Sequence, residues 1–349
     1  MNQAEALLKR LPAIVIKELE QLGLIFDCNH DGDKVDSATL KVVKLTHGLS
    51  NQNYLIANGP YKWVLRCNSS ASDQLCDRRA EVRNWRLATD AGIAPALLYV
   101  SADHSFYLSE YIDEDPTKRW ANMHSAETAH PVIHDTAIWP DADKQLLVLL
   151  QELTGLDTPE NITDNPEQWR LYLKRLSEIE THIVSEASSG LNSQWLTHFK
   201  QLLSLESKIS QWLQELSDCA LGLQYSHRDL NPHNLLCKDG NLYCIDFEYA
   251  CGSHPLFDLA GVLSTHELST PQRQRLIEAY LLNHPKLTSD AKAALPAAIN
   301  IYWVFAASWS LLMASDNSSS SSVENLSNSN PHQGQEYLNC FEQFFYLID

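Results

Sequence analysis

The sequence predicts an α+β chain of two lobes: a small N-terminal lobe built on an antiparallel sheet and a larger, mainly helical C-terminal lobe. Three observations predict this fold class. Short strand patterns bounded by turn residues fill positions 38–111, and apolar residues at helical spacing dominate from residue 144 onward. The length of 349 residues also exceeds what one compact unit usually holds. We therefore divide the chain into residues 1–112, an insertion or flap at 113–143, and residues 144–349.

The strongly acidic composition restricts the partners that the chain can have. A formal net charge of −18 argues against nucleic acid or an anionic membrane as a partner, because both bind basic surfaces. A cationic or neutral ligand is easier to reconcile with this charge. The eight cysteines are scattered and include no C-x-x-C pair, which predicts reduced, buried thiols. We find neither a signal peptide nor a run that approaches a membrane span, and we expect a cytoplasmic protein.

The elements of the N-terminal lobe are predicted from alternation and from turn residues. An amphipathic helix at 4–23 precedes the lobe, and the breakers Gly92–Pro95 end a later helix. The predicted elements are strands at 38–45, 53–57, 61–67, 97–100 and 106–111, and a helix at 72–91.

The C-terminal lobe is predicted as a series of helices. They cover residues 144–154, 166–186, 192–216, 256–265, 271–283, 289–314 and 333–346, with a polar linker at 316–330. The insertion before them is acidic and lacks periodicity. Its histidines, His124, His130 and His134, have no cysteine or regular ligand spacing beside them, so we expect loop histidines and not a zinc site.

The chain is organised around residues 223–249. His227-Arg228-Asp229-Leu230 followed by Asn234 fits H-R-D-L-x-x-x-N, the pattern of a kinase catalytic loop, and Asp246-Phe247 follows a short hairpin. Phosphoryl transfer needs positioning and charge neutralisation more than covalent help from the protein. Asp229 would accept or orient a substrate hydroxyl. The Asn234 amide oxygen and the Asp246 carboxylate would hold Mg²⁺ on the phosphates of ATP.

The hairpin inside this stretch has a turn at Lys238–Asn241 between two apolar runs. We expect Asn234 and Asp246 at opposite ends of the resulting two-stranded ribbon, close enough to share a metal. The alternative is an ordinary hairpin in which Asp229 and Asn234 only cap turns. Hydrophobic patterning alone does not require three metal-type ligands in this order, which favours the catalytic interpretation.

Candidate nucleotide-binding residues lie in the N-terminal lobe. Period two places Arg66 on the opposite face of its strand from Leu65. This cation, paired with Glu81 of the following helix, would hold the phosphates, although an arginine on a strand is usually a solvated edge charge when taken alone.

Two further segments are expected beside the nucleotide. The polar turn at 46–52, with Ser50 and Asn51, would cover the phosphates; a plain hairpin turn is the alternative. Residues 109–112 would lie along the adenine, which makes Glu110 and Ile112 candidate cofactor-binding residues.

A late helix carries three rings on one face, since Tyr302, Phe305 and Trp309 are spaced at i, i+3 and i+7. A helix buried in the lobe core explains most of them. The sharper hypothesis is that one or two face the pocket as an aromatic box for a cationic substrate. Asp258, in the first turn of the helix at 256–265, either caps that helix or braces the catalytic loop.

These motifs resemble those of the aminoglycoside phosphotransferase and choline kinase superfamily, which has a protein-kinase-like fold. The resemblance spans roughly residues 40–345 without the insertion. It implies that Asp229 is the catalytic base, that Asn234 and Asp246 are Mg²⁺ ligands, and that Glu248 is a further acid at the metal. It also implies that Arg66 and Glu81 form the nucleotide-side pair. Asp246-Phe247-Glu248 lacks the glycine of a protein-kinase D-F-G, and no A-P-E motif follows, so a protein substrate is not expected.

The function predicted from the sequence is an ATP- and Mg²⁺-dependent kinase that phosphorylates the hydroxyl of a small cationic alcohol. Choline or ethanolamine leads, followed by thiamine. The alternatives are an antibiotic-modifying phosphotransferase, a non-catalytic nucleotide-binding relative, and an adaptor that uses the flap at 113–143. The expected partners are ATP and a small-molecule alcohol, and a homodimer is left open.

Overall fold

The computed structural model describes residues 41–45, 51–68, 76–123, 135–137, 139–185, 190–319 and 333–349. The chain forms two compact units. The first ends at Ala121 and includes the later segment His233–Ala250, and the second comprises Asn122–Pro232 and Cys251–Asp349. The predicted helix at 4–23, Ser50, the three histidines of the insertion and residues 320–330 lie outside the described residues.

The described elements confirm the predicted α+β class. The strands are β1 (Lys41–Leu45), β2 (Gln52–Asn58), β3 (Tyr61–Cys67), β4 (Leu97–Val100), β5 (Phe106–Glu110), β6 (Gln224–Ser226), β7 (Leu235–Lys238), β8 (Asn241–Cys244) and β9 (Cys251–Ser253). The helices are α1 (Arg78–Asp90), α2 (Ala142–Gly155), α3 (Asn165–Ser185), α4 (Gly190–Leu203), α5 (Glu206–Cys219), α6 (Leu256–Thr265), α7 (Thr270–Leu281), α8 (Ala291–Ser319) and α9 (Gln333–Tyr346).

The first unit is built on a five-stranded antiparallel sheet with the order β1-β2-β3-β5-β4. Alternation along the strands sends one set of side chains into a small apolar core, which contains Val42, Tyr54, Ile56, Leu65, Phe106 and Leu108. Leu65 pairs with Leu108 across β3 and β5, and the next pair is Arg66 with Tyr107. The register therefore places Arg66 on the face opposite to this core, as the alternation predicts.

Helix α1 and the ribbon β7-β8 complete the first unit. The predicted helix at 72–91 begins only at Arg78, because Asp77 caps it by accepting the backbone N–H groups of Arg79 and Ala80 at 3.0 and 3.1 Å. The Cys244 N–H at the end of β8 donates to the Ile93 carbonyl at 2.7 Å, so the ribbon is attached to the chain that follows α1.

The second unit is mainly helical, with β6 and β9 as a short antiparallel pair. Its central helix α8 packs against α5, α6 and α9. Every residue from Leu256 to Ser264 in α6 is buried, which explains why this helix is apolar on all sides. The predicted helix at 192–216 is wrong as a single element. The chain breaks at Ser204–Leu205 into α4 and α5, and the apolar spacing continues across the break because both helices bury a face.

The expectation that no run approaches a membrane span is also wrong when a helix is judged by its length and composition alone. Residues Ala291–Ser315 of α8 are long and apolar enough to cross a membrane. However, 72% of the apolar window is buried inside the protein, so the helix has the character of a core helix.

Candidate active site

One face of α1 holds the segment that begins at Asp246. Asn84 Nδ2 donates to the Ala250 carbonyl at 2.5 Å, and the Trp85 ring stacks on Phe247 with centroids 5.7 Å apart. Glu81 lies three residues before Asn84 and therefore shares this face. Glu81 was predicted from the sequence, whereas Asn84 and Trp85 were not, although the same helical spacing indicates them.

Arg66 is the centre of a buried ion-pair cluster in the first unit. Its Nη2 lies 2.9 Å from Glu81 Oε1 and 3.6 Å from Glu248 Oε2, and its Nη1 lies 3.0 Å from Asp246 Oδ1. The Nε donates to Asn68 Oδ1 at 3.0 Å. The residue is 6% exposed. The structure thus brings together four residues that the sequence predicts at the nucleotide and metal.

A second guanidinium and a phenol complete the cluster. Arg78 Nη1 donates to Glu81 Oε2 at 3.0 Å, and the Tyr107 hydroxyl donates to the same oxygen at 3.2 Å. Three carboxylates therefore face two guanidinium groups. Arg66 and Arg78 both contact the fully buried Glu81. Because Arg78 holds one oxygen of this carboxylate, the other oxygen is positioned to orient Arg66.

The buried charges shift the pKa values in the cluster. Burial alone would lower the pKa of Arg66, but the carboxylates of Asp246, Glu81 and Glu248 raise it above its ordinary value, so the guanidinium stays charged. Burial raises the pKa of Glu248, and the negative charge of Asp246 raises it further, against the opposing effect of Arg66. Glu248 is therefore protonated at a higher pH than an exposed glutamate.

The ribbon brings Asn234 and Asp246 to the same end, which corrects the expectation of opposite ends. Leu235 pairs with Cys244, and the Ile245 N–H donates to the Asn234 carbonyl at 3.0 Å. Because the strands are antiparallel, the residue before the first strand and the residue soon after the second one must meet at the open end. Asp246 has a φ of 67°, in a region that non-glycine residues rarely occupy.

Glu114 is a further residue that the sequence analysis did not single out. Its Oε1 accepts the Cys237 N–H of β7 at 2.9 Å and the Trp120 N–H at 3.4 Å. It ties the chain after β5 to the ribbon, within the first unit. A solitary glutamate in an acidic insertion carries no sequence signal for this contact.

The remaining predicted nucleotide-binding residues lie next to or at the ends of strands β2 and β5. Asn51 is 8% exposed and precedes β2. Glu110 ends β5, is exposed, and accepts the Ala96 N–H through Oε2 at 3.4 Å. Ile112 is buried. Their contacts with a nucleotide stay predictions.

In the second unit, Asp258 braces the loop that carries Asp229. Its Oδ2 accepts the His227 N–H at 2.9 Å and its Oδ1 accepts the Arg228 N–H at 2.8 Å. Burial raises the pKa of Asp258, opposed by His227 and by these backbone donors. Of the two alternatives for Asp258, bracing is the one that the structure shows, because no side-chain cap is formed at the start of α6.

Arg228 is fixed at both ends. Its backbone has a φ of 69° and its N–H is held by Asp258. Its guanidinium donates to Ser253 Oγ at 2.6 Å and to Gln168 Oε1, and it lies 4.1 Å above the Phe257 ring. Strained backbone of this kind persists only where the surroundings determine it fully, and it is concentrated at functional sites.

Asp229 follows this anchored arginine and is half-buried. Asn231 Nδ2 donates to its Oδ1 at 2.8 Å. Asp229 also contributes to the raised pKa of Tyr302, after the larger effect of burial, which places the tyrosine within electrostatic reach of the candidate base.

The three candidate substrate-binding rings divide into two places. Tyr302 and Phe305 surround Phe257, with centroids 5.8 and 6.1 Å from it. Trp309 instead packs against Tyr337 of α9, with centroids 5.6 Å apart. Phe257, at the start of α6, was not singled out from the sequence; its apolar surroundings mark it only as a core residue.

Comparisons with known proteins support the class that the fold and motifs define. The Phosphotransferase enzyme family matches residues 41–291. Protein LicA of Haemophilus influenzae is 25% identical over 239 residues, which cover 67% of this chain and 60% of that protein. The match therefore spans less than two thirds of that relative.

Solved structures show the same fold. The choline kinase LicA from Streptococcus pneumoniae has a TM-score of 0.57 at 17% identity, covering 94% of this chain and 98% of that one. A structure of LicA in complex with AMP has a TM-score of 0.56 at 17% identity, covering 95% of this chain and 98% of that one. The gentamicin complex of APH(2")-IIa has a TM-score of 0.59 at 13% identity, covering 96% of each chain.

The fold and motifs thus define a phosphotransferase of the protein-kinase-like class. The chain belongs to the Phosphotransferase enzyme family, since that family accounts for most of its length.

Proposed function

We propose that the protein transfers the γ-phosphoryl group of ATP, with Mg²⁺, to the hydroxyl of a small cationic alcohol. Choline or ethanolamine is the leading substrate and thiamine the next. The observation that carries the proposal is the contact of Arg66 with both Glu81 and Asp246. In protein kinases, phosphoryl transfer requires a strand cation paired with a helix acid and, separately, a carboxylate that holds the metal. The contacts of Arg66 bring candidates for all three groups together.

The residues present fit a magnesium ion. Mg²⁺ prefers oxygen ligands and is usually bound by one or two carboxylates together with phosphate oxygens and water. Asn234 and Asp246 offer an amide and a carboxylate at one end of the ribbon. Within the described residues, no cluster of three or more His, Cys, Asp or Glu side chains suits a metal by itself. When bound, the ion neutralises phosphate charge.

The chain's own residues supply positioning and a base. Arg66, oriented by Glu81, would bind phosphate oxygens. Asp229 would align the hydroxyl of the alcohol and accept its proton, which contributes about 10²- to 10⁴-fold to the rate in comparable cases. Asp258 and the anchored Arg228 hold the loop that carries Asp229.

The surroundings of Asp229 favour a cationic alcohol. Tyr302 lies within electrostatic reach of Asp229 and packs beside Phe257, whose ring already carries the guanidinium of Arg228. A cation over an aromatic face is stabilised once it is desolvated. The net charge of −18 favours a cation as well. The structural neighbour from Streptococcus pneumoniae is a choline kinase, which agrees with this choice.

An antibiotic-modifying phosphotransferase is the second candidate, because the gentamicin complex shares the fold. Such a substrate carries several positive charges and needs several acidic residues around the acceptor site. A non-catalytic relative is disfavoured by the presence of Asp229, Asn234 and Asp246 together.

The test is ATP consumption measured against choline, ethanolamine, thiamine, homoserine and gentamicin, with Mg²⁺ and then with excess chelator. We expect turnover with a small cationic alcohol that requires the metal. Turnover with gentamicin alone would favour the second candidate. If the protein binds nucleotide but consumes no ATP with any of these acceptors, the non-catalytic relative would be favoured.

A further inference from the structure

A cavity of about 330 Å³ lies in the second unit, and none of the residues assigned to the candidate active site lines it. It is built between the first residues of α3, represented by Asn165, and the end of α5, represented by Leu216. His254 and residues 220–223 close it. Residues 220–223 precede β6, whereas the catalytic loop follows β6, so the cavity and Asp229 belong to different ends of that strand.

Asn165 gives this cavity a polar group that the protein does not satisfy. The side chain is 3% exposed, and neither its Oδ1 nor its Nδ2 has a hydrogen-bond partner. Buried amides are almost always paired, and an unpaired one destabilises the folded state. Rotation of the side chain toward the adjoining cavity is the direct way for Asn165 to gain a partner from a ligand.

The other polar group of the wall is already engaged. His254 Nδ1 accepts the Leu256 N–H at 3.1 Å, and its Nε2 lies 2.9 Å from the Leu216 carbonyl oxygen and donates to it. These contacts assign a neutral ring with one acceptor and one donor nitrogen. His254 therefore offers neither a charge nor a free hydrogen-bonding atom to a ligand.

The charge around the cavity favours a cation. Of the residues that line the cavity, the exposed Asp164 alone carries a charge. The nearby cation Lys286 is not a lining residue, and its Nζ donates to the Leu223 carbonyl at 2.6 Å. Three leucines, Leu216, Leu221 and Leu223, supply apolar wall. Leu221 is 67% exposed, so its apolar surface is open to a ligand from solvent.

We propose that this cavity is a second binding site, for a small primary amine with an apolar body and a neighbouring hydroxyl. The ammonium group pairs with Asp164 and donates to Asn165 Oδ1. The hydroxyl oxygen accepts from Asn165 Nδ2, and the apolar body lies on the leucines. The site is independent of the proposed kinase reaction, since none of the residues assigned to that reaction lines it.

The test uses leucinol as the probe and 4-methyl-1-pentanol, which lacks the amine, as its neutral counterpart. Binding is measured by calorimetry without ATP, on the full chain and on the Asp229→Ala variant. We expect leucinol to bind both proteins equally and the neutral alcohol to bind much more weakly. Equal binding of both compounds, or loss of leucinol binding in Asp229→Ala, would overturn the proposal.

Two substitutions locate the site. Asn165→Leu should abolish leucinol binding while the apo protein unfolds at the same or a higher temperature, because an unpaired buried amide is replaced by an apolar group of similar shape. Asp164→Asn should weaken binding about fivefold through the lost ion pair, and it keeps a side chain suited to a helix start. Asp218→Asn is the matched control, since this exposed carboxylate of α5 does not line the cavity.

Leucinol affinity that is unchanged in Asn165→Leu or Asp164→Asn, or an absence of saturable binding to the wild-type protein, would contradict the assignment. If Asn165→Leu fails to fold, the comparison of Asp164→Asn with its control Asp218→Asn still tests the site. A crystal structure that shows leucinol bound elsewhere on the protein would also contradict the proposed site.

Discussion

Arg66 Nη1 lies 3.0 Å from Asp246 Oδ1, although 180 positions separate the two residues in the chain. The contact joins the predicted strand cation of the nucleotide site to the predicted metal-binding carboxylate. In the first unit the same guanidinium also reaches Glu81 and Glu248. One arginine therefore sets the geometry of three acidic groups, and its replacement tests the proposed site from the nucleotide side.

Arg66→Lys should raise the KM for ATP about tenfold, because an ammonium group cannot reproduce the charge-assisted contacts that two guanidinium nitrogens make. Lys62→Ala is the control, since Lys62 is an exposed cation of the same strand whose Nζ lies 2.5 Å from Asp113 Oδ2. Steady-state kinetics with varied ATP measure both. Equal KM values for Arg66→Lys and the wild type would contradict the assignment of Arg66.

Asp229→Ala should lower kcat by about 10²- to 10⁴-fold, because the acceptor for the hydroxyl proton is removed. ATP binding, measured by calorimetry, should change little. Asp218→Ala removes an exposed carboxylate of α5 and should leave both quantities unchanged. Activity of Asp229→Ala within a factor of about two of the wild type would remove Asp229 from the catalytic role.

Asp258→Ala should disorder the catalytic loop, because the N–H groups of His227 and Arg228 both lose their acceptor. A buried donor left without a partner costs about 1–3 kcal/mol. We expect a lower unfolding temperature together with reduced kcat. Asp258→Asn retains one acceptor oxygen, so its losses should be smaller. An Asp258→Ala protein with wild-type stability and turnover would show that the brace is dispensable.

Gly261→Ala should affect the alcohol and not the nucleotide. A Cβ at this position would lie 3.1 Å from Tyr302 Cε2, so the ring must move by a few tenths of an ångström. We expect a higher KM for the alcohol and an unchanged KM for ATP. Gly155→Ala is the control, because a Cβ there meets no atom within 4 Å. A change in the KM for ATP alone would argue against Tyr302 as a substrate-facing residue.

Acid should destabilise the protein in part through His284. Burial first, and then Lys286 and His254, lower the pKa of His284 from 6.5 to about 4. As pH falls below 6.5 the unfolded chain gains a proton there while the folded protein does not, so the contribution of His284 to stability is lost between pH 6.5 and about 4 and does not change further below.

The His284→Gln variant should therefore lose less stability between pH 7 and pH 5 than the wild type does, as measured by urea unfolding. The exposed His182→Gln in α3 serves as the control and should behave as the wild type. An identical pH dependence in His284→Gln and the wild type would show that this imidazole is not responsible.

The local elements could be predicted because their signals are short-range. The predicted bounds of β3, β4, α6 and α9 agree with the structure, since turn residues and apolar spacing mark them directly. The break between α4 and α5 could not be predicted, because the apolar spacing continues through it. The membrane-length apolar run of α8 reflects burial on nearly every side, which a sequence does not distinguish from a lipid-facing helix.

The site residues divide in the same way. Motif spacing predicted Arg66, Glu81 and Asp246, and the structure brings them into contact. The roles of Glu114 and Phe257 depend on contacts over more than 25 positions and leave no local pattern. The ribbon was misjudged for a simpler reason: antiparallel pairing brings its two chain ends together, and the positions of Asn234 and Asp246 were assigned along the chain instead of across the pair.

The central claim is phosphoryl transfer from ATP to a small cationic alcohol, and ³¹P NMR of a reaction with choline, ATP and Mg²⁺ tests it most directly. We predict that the wild-type protein produces ADP together with a new phosphomonoester signal, and that Asp229→Ala forms both about 10²- to 10⁴-fold more slowly. Release of inorganic phosphate without a phosphomonoester, for choline and equally for ethanolamine and thiamine, would contradict the account.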